Sequence, residues 1–595
     1  MVFLPLALAY AYTYISQHNQ ETKLLVRGVL PAVLFLAATT SGHIGIGIMA
    51  FLSLIPLAFG ESFMQWVSGA IGRKELGRIA YRQAIGITIL AVPAILLLSY
   101  WLVPAFLGDK FHNFSFWDPV WKFNSYGAPE TIIRLFNGDL FDFGRLPIFT
   151  LLVILGVFAS VFTMKNSGFA LLFLFWFFLY FGRTTWGGLL DSIPGLKEFH
   201  QSRFIVGVHM AGLFLAPIGL EWIVKVFKPH SLIRVFAYLL IGLFVVLLIY
   251  PQTIRYSALN DTLILRANGN YAMQSTDANA LVSVLQELQK TAPGRVFAGR
   301  AGWGKDFKIA ETSMLMYLGN FGLPTVLWMP ETWSPNADTE QYFREEFRQD
   351  YELYNFRYVA TQANLPKELI RSFWVPIKEN PSWKLYGVLT QGYFSAGVRP
   401  AIVAADKYSR GNVVRLWIQS DDPKNGLYPQ LTFDTKNYPV NVGLPNFKML
   451  DEVTFRVPDG STHNLFAERP RYVSPLSNVS TLNNIIITDQ TNTADMIFSA
   501  KVSVPKDCTE CLVVLKQSYH PSWRVTIDGK RVTPIIVFPF FIGIPVTEGT
   551  HTIVASYQPS SLKIFLLVLS GILGIGTIYV FLKKRGKHNA VTPRR

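Results

Sequence analysis

Long apolar segments fill the first 250 residues of the chain and return once near its C-terminus. A run of about 20 apolar residues matches the hydrocarbon thickness of a bilayer. The apolar segments cover about 1–16, 24–40, 43–60, 83–104, 146–163, 168–182, 203–226, 232–250 and 562–582. This pattern predicts a polytopic α-helical membrane domain of about eight spans over residues 1–250, with a large loop at 105–145, and a C-terminal transmembrane helix over 561–582.

The polar region between these segments begins with a mixed pattern of helix and strand. Leu281, Leu285 and Leu288 share one face of a helix predicted over 277–290, with Asp277 placed to cap its start. Short apolar strands are predicted at 294–298 and 356–360, with a further helix near 338–347. We therefore expect an α/β unit over residues 251–397.

From residue 398 to residue 560 the pattern becomes one of short strands separated by turn residues. The strand 523–527 is followed by Asp528-Gly529, a strong hairpin signal, and Glu548-Gly549 precedes a strand at 551–557. This spacing predicts an antiparallel β-sandwich. Pro559 then leads into the last apolar segment.

Basic residues predict the orientation of the chain. The net charge of +15 would suggest nucleic acid in a soluble protein, but much of the excess lies in short loops beside apolar segments, at 72–82, around Lys165, at 225–234 and in the tail 583–595. The positive-inside rule places these loops and the C-terminus in the cytoplasm. The polar region 251–560 is then extracytoplasmic, in a multi-pass protein of the plasma (inner) membrane, and nucleic acid is not an expected partner.

The same alternation places Met1 on the outer side. The first apolar segment begins at the initiator without a basic flank, unlike a signal peptide. We therefore expect that full-length relatives have membrane helices upstream of this one.

Two features are open to a structural or a chemical interpretation. Cys508 and Cys511 form a CxxC, which suits a disulfide on an outer face, with redox or metal chemistry as the alternative. His43 follows Thr39-Thr40-Ser41-Gly42, the only break in a doubly long apolar run, and is either a turn residue of a helical hairpin or part of a site at the outer mouth.

Four stretches resemble known families. The C-terminal stretch "SYHPSWRVTIDGKRVTPIIVFPFFIGIPVTEGTHTIVASYQPSSLK" is similar to bacterial YfhO-type membrane proteins. The stretches "FWDPVWKFNSYG", "LFDFGRLPIFTLLVILG" and "IPGLKEFHQSRFIVG" resemble a related membrane domain labelled as 6-pyruvoyl-tetrahydropterin-synthase-related. Such families are similar to the GT-C class of integral membrane glycosyltransferases.

The class resemblance implies a polyprenyl-phosphate-linked sugar donor and transfer on the outer face of the membrane. It also implies a catalytic carboxylate in a first outer loop, which the topology predicts to be missing here. No catalytic residue can therefore be carried over from the class to a position in this sequence.

The outer loops nevertheless contain groups that suit such a transfer. An acceptor hydroxyl needs a carboxylate to deprotonate it, and a phosphate leaving group needs cations. The acidic candidates are Asp118, Asp139, Asp142 and Asp191. The candidates for binding the donor phosphate are Arg203, His200, Arg183 and Arg145. Each could instead be an ordinary solvated loop charge or a side chain anchored at the membrane surface.

Three functional classes remain. The first is a GT-C-like glycosyltransferase, or a truncated remnant of one, whose partners are the bilayer, a polyprenyl-linked sugar donor and an envelope glycan, lipid or protein acceptor. The second is a non-catalytic membrane-anchored protein that binds envelope glycans or assembles partners. The third, a transporter, is disfavoured because few ionisable residues lie within the spans. No cofactor is required by any motif and no metal site is predicted, although a divalent cation is compatible with such a transfer.

Overall fold

The computed structural model describes residues 3–16, 29–112, 120–164, 166–192, 196, 199–226, 231–300, 307–328, 334–405, 407, 410–418, 420–434, 485–493, 496–506, 508 and 510–589. Contacts divide the chain into two compact units. Unit 1 comprises Met1–Phe106, Asp118–Ala258 and Ser561–Arg595, and unit 2 comprises Leu107–Trp117 and Leu259–Ser560. The boundary predicted near residue 397 falls inside a strand of unit 2.

The apolar segments predicted from the sequence form helices. The first twelve helices are α1 (Phe3–Ser16), α2 (Leu30–Gly42), α3 (Ile44–Val67), α4 (Arg73–Leu97), α5 (Ser99–Leu107), α6 (Val120–Asn124), α7 (Ala128–Phe136), α8 (Ile148–Thr163), α9 (Ser167–Tyr180), α10 (Arg183–Trp186), α11 (Ile205–Val226) and α12 (Ser231–Thr291). Among the described residues, five helices are long and apolar enough to cross a membrane, and the pair α9 and α10, bent by 73°, gives a sixth. The chain is a multi-pass membrane protein, as predicted.

Glycines set the distance between packed helices in unit 1. A Cβ at Gly156 of α8 would overlap the carbonyl of Leu215 in α11, and a Cβ at Gly219 of α11 would overlap the carbonyl of Leu152. Gly60 and Gly168 bring α3 and α9 together in the same way. Small residues allow such close backbone approach, which stabilises helix pairs in membranes, where hydrophobic burial between helices contributes little.

The helix predicted over 277–290 is the end of a much longer one. Helix α12 has 61 residues and contains Pro251, where the sequence predicted a change of structure. A proline removes one intrahelical hydrogen bond and bends a helix but does not always end it. Asp277 therefore lies inside a helix and does not cap its start. Its carboxylate accepts a hydrogen bond from Ser382 Oγ.

The first part of unit 2 is the predicted combination of helix and sheet. Its strands are β1 (Arg295–Phe297), β2 (Lys308–Ile309), β3 (Thr312–Ser313), β4 (Phe356–Gln362), β5 (Val375–Glu379) and β6 (Trp383–Gly387). Four of them form a sheet in the order β1-β4-β6-β5, in which β1 and β4 are parallel. Three short helices accompany it: α13 (Met314–Asn320), α14 (Pro335–Glu340) and α15 (Arg348–Tyr354). Leu281 and Leu285 of α12 are fully buried in its core.

Two further sheets follow in unit 2. Their elements are β7 (Phe394–Val398), β8 (Ile402–Ala404), α16 (Arg410–Ile418), β9 (Gln430–Thr432), β10 (Ile486–Asn492), β11 (Ile497–Val504), β12 (Cys511–Leu515), β13 (Trp523–Ile527), β14 (Lys530–Val532), β15 (Ile535–Val537), β16 (Phe541–Pro545) and β17 (Gly549–Tyr557), and the last helix is α17 (Ser561–Asn589). The five-stranded sheet has the order β10-β11-β17-β13-β14 and the six-stranded sheet the order β7-β12-β16-β15-β9-β8.

The prediction of purely antiparallel strands is wrong for one pair. Strands β8 and β9 are parallel, and α16 lies between them in the chain as the crossover that a parallel pair requires. The other pairs of these two sheets are antiparallel, including the predicted hairpin of β13 and β14 at Asp528-Gly529. Val513 of one sheet and Val525 and Ile553 of the other belong to the same buried cluster.

Candidate functional site

Arg183 is the central polar residue of the loops in unit 1. Its Nε donates to Asp191 Oδ1 at 2.8 Å, and its terminal nitrogens donate to the carbonyls of Phe123 at 3.1 Å, Leu196 at 2.6 Å and Phe199 at 3.4 Å. The guanidinium carbon lies 4.3 Å from the centroid of the Phe123 ring. Only 10% of the Arg183 side chain is exposed. Arg183 therefore holds together the segments around residues 123, 191 and 199, and its N–H groups are largely occupied by protein acceptors.

Glycine and hydroxyl residues join the two long loops at the start of α10. Gly182 has a φ of +67°, and a Cβ there would overlap the carbonyl of Asn124. Thr184 Oγ1 donates to the carbonyl of Ser125 at 2.8 Å, and the backbone N–H of Ala128 donates to Thr185 Oγ1 at 2.7 Å. The loops around residues 125 and 185, 60 residues apart in sequence, are thus one structure.

His200 and Arg203 lie on the same loop structure. His200 precedes a short 3-10 helix, Gln201–Phe204, and its ring packs edge-on against Phe123 with the centroids 5.9 Å apart. Ser202 Oγ donates to the carbonyl of Lys122 at 2.7 Å. Arg203 is exposed, and within the described part of the chain its guanidinium makes no hydrogen bond or ion pair. Arg203 is therefore available to an anionic ligand in a way that Arg183 is not.

His43 is close to this loop as well. It is exposed at the break between α2 and α3, as the sequence predicted. A Cβ at Gly45 would lie 2.9 Å from Phe199 Cε2 and 3.1 Å from His43 Cε1. Gly45 thus leaves room for both rings, and the structure brings His43 beside the segment that carries His200 and Arg203.

Gln201 is a polar residue of this region that the sequence analysis did not select. Its side chain is fully buried, and neither its amide nitrogen nor its amide oxygen has a hydrogen-bond partner among the described residues. A buried amide without partners is costly, so such groups in proteins are satisfied by ordered water or by a ligand. The sequence did contain a signal for this site, since the polar run His-Gln-Ser-Arg lies directly before an apolar helix.

Asp142 and Arg145 precede α8, and Asp142 accepts hydrogen bonds from its first turn. Asp142 is 6% exposed, and its carboxylate accepts from the backbone N–H groups of Phe149 and Thr150 and from Thr150 Oγ1, at 3.1, 2.9 and 2.7 Å. This arrangement satisfies N–H groups that a helix leaves free at its start and suits the positive end of the helix dipole. Arg145 donates to the carbonyl of Asp142 at 2.6 Å.

The two remaining acidic candidates differ in what the structure describes. Asp139 is exposed, and its carboxylate has no hydrogen bond or ion pair to any described residue. Asp118 lies outside the described residues. Of the three acidic candidates that the structure describes, Asp191 is the one paired with Arg183, which also donates to the carbonyl of Phe199 beside His200.

An aromatic surface accompanies α7 on the same loop. Arg134 pairs with Glu130 at 2.7 Å, and its guanidinium carbon lies 4.0 Å from the centroid of the Tyr126 ring. Trp121, which is 52% exposed, stacks on Tyr126 with the centroids 5.7 Å apart. Tyr126 thus contacts both a cation and an indole.

Two sequence features remain, the CxxC pair and a possible metal site. Cys508 and Cys511 form a disulfide at the start of β12 in unit 2. Among the described residues, no group of three or more His, Cys, Asp or Glu side chains is arranged to hold a metal ion.

The C-terminal stretch that resembles YfhO-type proteins folds as a small aromatic turn and two hairpins. The ring of Tyr557 packs 5.6 Å from Trp523 and 5.7 Å from His520, centroid to centroid. The backbone N–H of Ser522 donates to His520 Nδ1 at 3.1 Å. The His-Pro-x-Trp and Tyr-x-Pro motifs therefore pack against each other where β17 ends.

Comparison with known proteins bears out this resemblance. Residues 481–569 match the family described as bacterial membrane protein YfhO. The chain thus has a YfhO-type C-terminal region, as the sequence analysis stated. No curated protein matches the chain.

Three solved structures of the arabinofuranosyltransferase AftD from Mycobacteria also align with the chain. The first shows 11% identity and a TM-score of 0.31 and covers 93% of this chain and 48% of the other. Two forms of its R1389S mutant, classes 2 and 1, give identities of 12% and 11%, TM-scores of 0.29 and 0.27, and coverages of 93% and 94% of this chain and 50% and 49% of theirs. This chain spans about half the length of those proteins.

Proposed function

We propose that the protein is a GT-C-like membrane glycosyltransferase that transfers a sugar from a polyprenyl-phosphate donor to an envelope acceptor on the outer face of the plasma membrane. The observation that carries the proposal is the polar loop cluster of unit 1, in which Arg183, Asp191, His200 and Arg203 occupy one connected structure beside the membrane helices. The YfhO-type C-terminal region supports it further. The orientation rests on the basic loops and tail.

In this proposal the candidate residues have different tasks. Arg203 and His200 bind the donor phosphate, since the Arg203 guanidinium has no protein partner among the described residues. Arg183 positions the loop, because its donors are already occupied. Asp142 and Arg145 fix the start of α8 and do not contact substrate.

Asp191 is the carboxylate that we assign to the acceptor. One of its oxygens accepts from Arg183, and its side chain is 32% exposed, so the second oxygen can accept from an acceptor hydroxyl. The acceptor oxygen bonds to the anomeric carbon as the bond from that carbon to the phosphate oxygen breaks. The hydroxyl proton passes to Asp191, and the departing phosphate keeps the bonding electrons and is stabilised by Arg203.

Replacement of Arg203 tests the proposal. Loss of one charge-assisted contact to a phosphate that develops charge commonly lowers the rate by about 10²-fold or more. Arg203→Ala should lower transfer of a radiolabelled sugar from a polyprenyl-phosphate donor by at least that factor, and Arg203→Lys should restore part of it, because lysine keeps the charge without the planar fork.

The control is Arg78→Ala. Arg78 is also exposed, but it lies in the first two turns of α4, outside the loop cluster. Both variants must insert in membranes at equal levels. Equal rates for the two alanine variants would remove Arg203 from the site. Absence of transfer by the unaltered protein with every polyprenyl donor tried would favour a non-catalytic envelope-binding protein.

A further inference from the structure

Unit 2 contains a groove that the proposed transfer reaction does not use. Its volume is about 890 Å³, which lies within the range of ligand-binding pockets, about 300–1,000 Å³. It is lined by residues of α15, by the segment 389–391, by residues 395–396, by residues within 423–428 and by residues of β10. A smaller cavity of about 200 Å³ shares Gln391, Ile487 and Gln490 with it, so the two cavities adjoin.

An ion pair adjoins this groove through one of its partners, Glu352. Lys516 is 1% exposed, and its Nζ lies 2.7 Å from Glu352 Oε1 and 2.7 Å from the Glu352 carbonyl. Burial lowers the pKa of Lys516, and Glu352 opposes that shift. The Glu352 carboxylate, 33% exposed, lines the groove.

The Glu352 carboxylate is held in place by protein donors but still has free acceptor positions. Its Oε2 accepts from the backbone N–H of Gln391 at 2.8 Å, so each carboxylate oxygen has one protein donor. A carboxylate has about four acceptor positions. Two therefore remain for donors of a ligand, and the carboxylate is already fixed in place for them.

The rest of the lining offers amides and two exposed cations, Arg348 and Lys424. Gln490 Nε2 donates to the Gln391 carbonyl at 2.7 Å, and its Oε1 accepts from the Phe394 N–H at 3.0 Å, which holds this end of the groove. The side chains of Arg348 and Gln349 on α15 are exposed along the rim. The lining combines these donors and acceptors with apolar residues such as Leu389 and Ile487.

This lining fits a hydroxyl-rich chain better than a peptide. One mode by which an extended peptide binds is pairing with a sheet edge. The groove residues of β10 lie on a strand whose register shifts between Thr488 and Thr491, with Asp489 at a φ of +50°. Such a bulge interrupts regular pairing along the strand. Sugar hydroxyls, which donate and accept in all directions, need no such regularity.

We propose that this groove binds an oligosaccharide, with the Glu352 carboxylate and the side chains of Gln349, Gln391 and Arg348 as its polar contacts. This binding is independent of sugar transfer by unit 1. It gives unit 2 a function of its own, the capture of an envelope glycan.

The test is calorimetric titration of the protein in lipid nanodiscs with neutral hexasaccharides of glucose, N-acetylglucosamine, galactose and mannose. Hexaglycine serves as the extended peptide. At least one hexasaccharide should bind saturably. Gln349→Ala and Arg348→Ala should each weaken that binding by about 5- to 10-fold, as expected for one hydrogen bond. Arg531→Ala, an exposed arginine on β14 outside the groove, should leave it unchanged.

Three further measurements complete the test. Glu352→Gln should abolish binding, with thermal unfolding recorded because Lys516 then loses its ionic partner. Arg203→Ala should bind the hexasaccharide as the unaltered protein does, which separates this proposal from the proposed transfer. Binding of none of the hexasaccharides, preference for hexaglycine, or equal affinity of the groove variants and Arg531→Ala would overturn it.

Discussion

Arg183→Ala should destabilise the loop cluster of unit 1 far more than Arg134→Ala, although each arginine pairs with one carboxylate and stacks on one aromatic ring. The side chains of the Arg183–Asp191 pair are 10% and 32% exposed, whereas those of the Arg134–Glu130 pair are 34% and 49% exposed. Arg183 also donates to three backbone carbonyls.

The expected magnitudes follow from these environments. Breaking a buried pair by removing one partner costs about 3–5 kcal/mol, and the partial exposure of Asp191 places Arg183→Ala near the lower limit, at about 3 kcal/mol. The exposed Arg134 pair contributes about 0.2–1 kcal/mol, and its contact with Tyr126 about 0.5 kcal/mol. The difference of about 2 kcal/mol corresponds to a factor of about 30 in an opening equilibrium.

Hydrogen exchange of the protein in nanodiscs measures this opening at residues 183–204. Exchange should rise about 30-fold more in Arg183→Ala than in Arg134→Ala. Asp191→Asn should have an intermediate effect, because the bonds to the carbonyls remain. Equal exchange in the two arginine variants would refute the view that Arg183 holds the loop together.

Three other predictions concern packing, pH and orientation. Gly219→Leu should prevent stable packing of α8 against α11 and so lower the melting temperature in detergent. Gly242→Leu should have little effect, because a Cβ added at Gly242 meets no atom within 4 Å. Equal melting temperatures of the two variants would contradict the packing argument. The hydrogen bond to Asp528 raises the pKa of His551 above 6.5, and the bond to His551 lowers that of Asp528 below 3.8. The pair therefore stabilises the hairpin most between these values, and this stability is lost as pH rises through the raised pKa of His551 or falls through the lowered pKa of Asp528. Exchange of the Thr552 amide, which donates to Asp528 Oδ1, should accordingly rise from pH 6 to pH 9 in the unaltered protein but stay flat, after correction for intrinsic rates, in Asp528→Asn. Reporter fusions after Arg78, Lys165, Lys228 and Lys587 should report cytoplasm, and those near Lys122, Asp191 and Asp421 should report the outer side. An outer-side signal at Lys587 would overturn the orientation.

The sequence predicted the features that depend on local patterns. Apolar runs became helices, the break at His43 separates α2 from α3, and Asp528-Gly529 forms the turn between β13 and β14. Two local signals were present but not used. Pro129 and Glu130 mark the start of α7, and Gly138, at a φ of +80°, follows its end.

Local sequence patterns could not predict the features that depend on contacts between residues far apart in the chain. Nothing near Pro251 shows that α12 continues past it, and the parallel pairing of β8 with β9 depends on a crossover of only nine helical residues. Arg183, Arg145 and Arg203 look alike in sequence. Only the fold shows that the first two donate to backbone carbonyls while the third has no partner among the described residues.

The length of α8 has a consequence for the surrounding lipid. This helix contains 16 residues, or about 24 Å at 1.5 Å per residue, against a hydrocarbon thickness of about 30 Å. The Asp142 carboxylate fixes the first turn of α8, so this helix cannot lengthen at that end. Thinning of the bilayer next to α8 compensates for this difference, at a cost of a fraction of a kcal/mol per Å. The protein should therefore be more stable in lipids with 14-carbon chains than in lipids with 20-carbon chains, and lipid thickness becomes a variable in any assay of its activity.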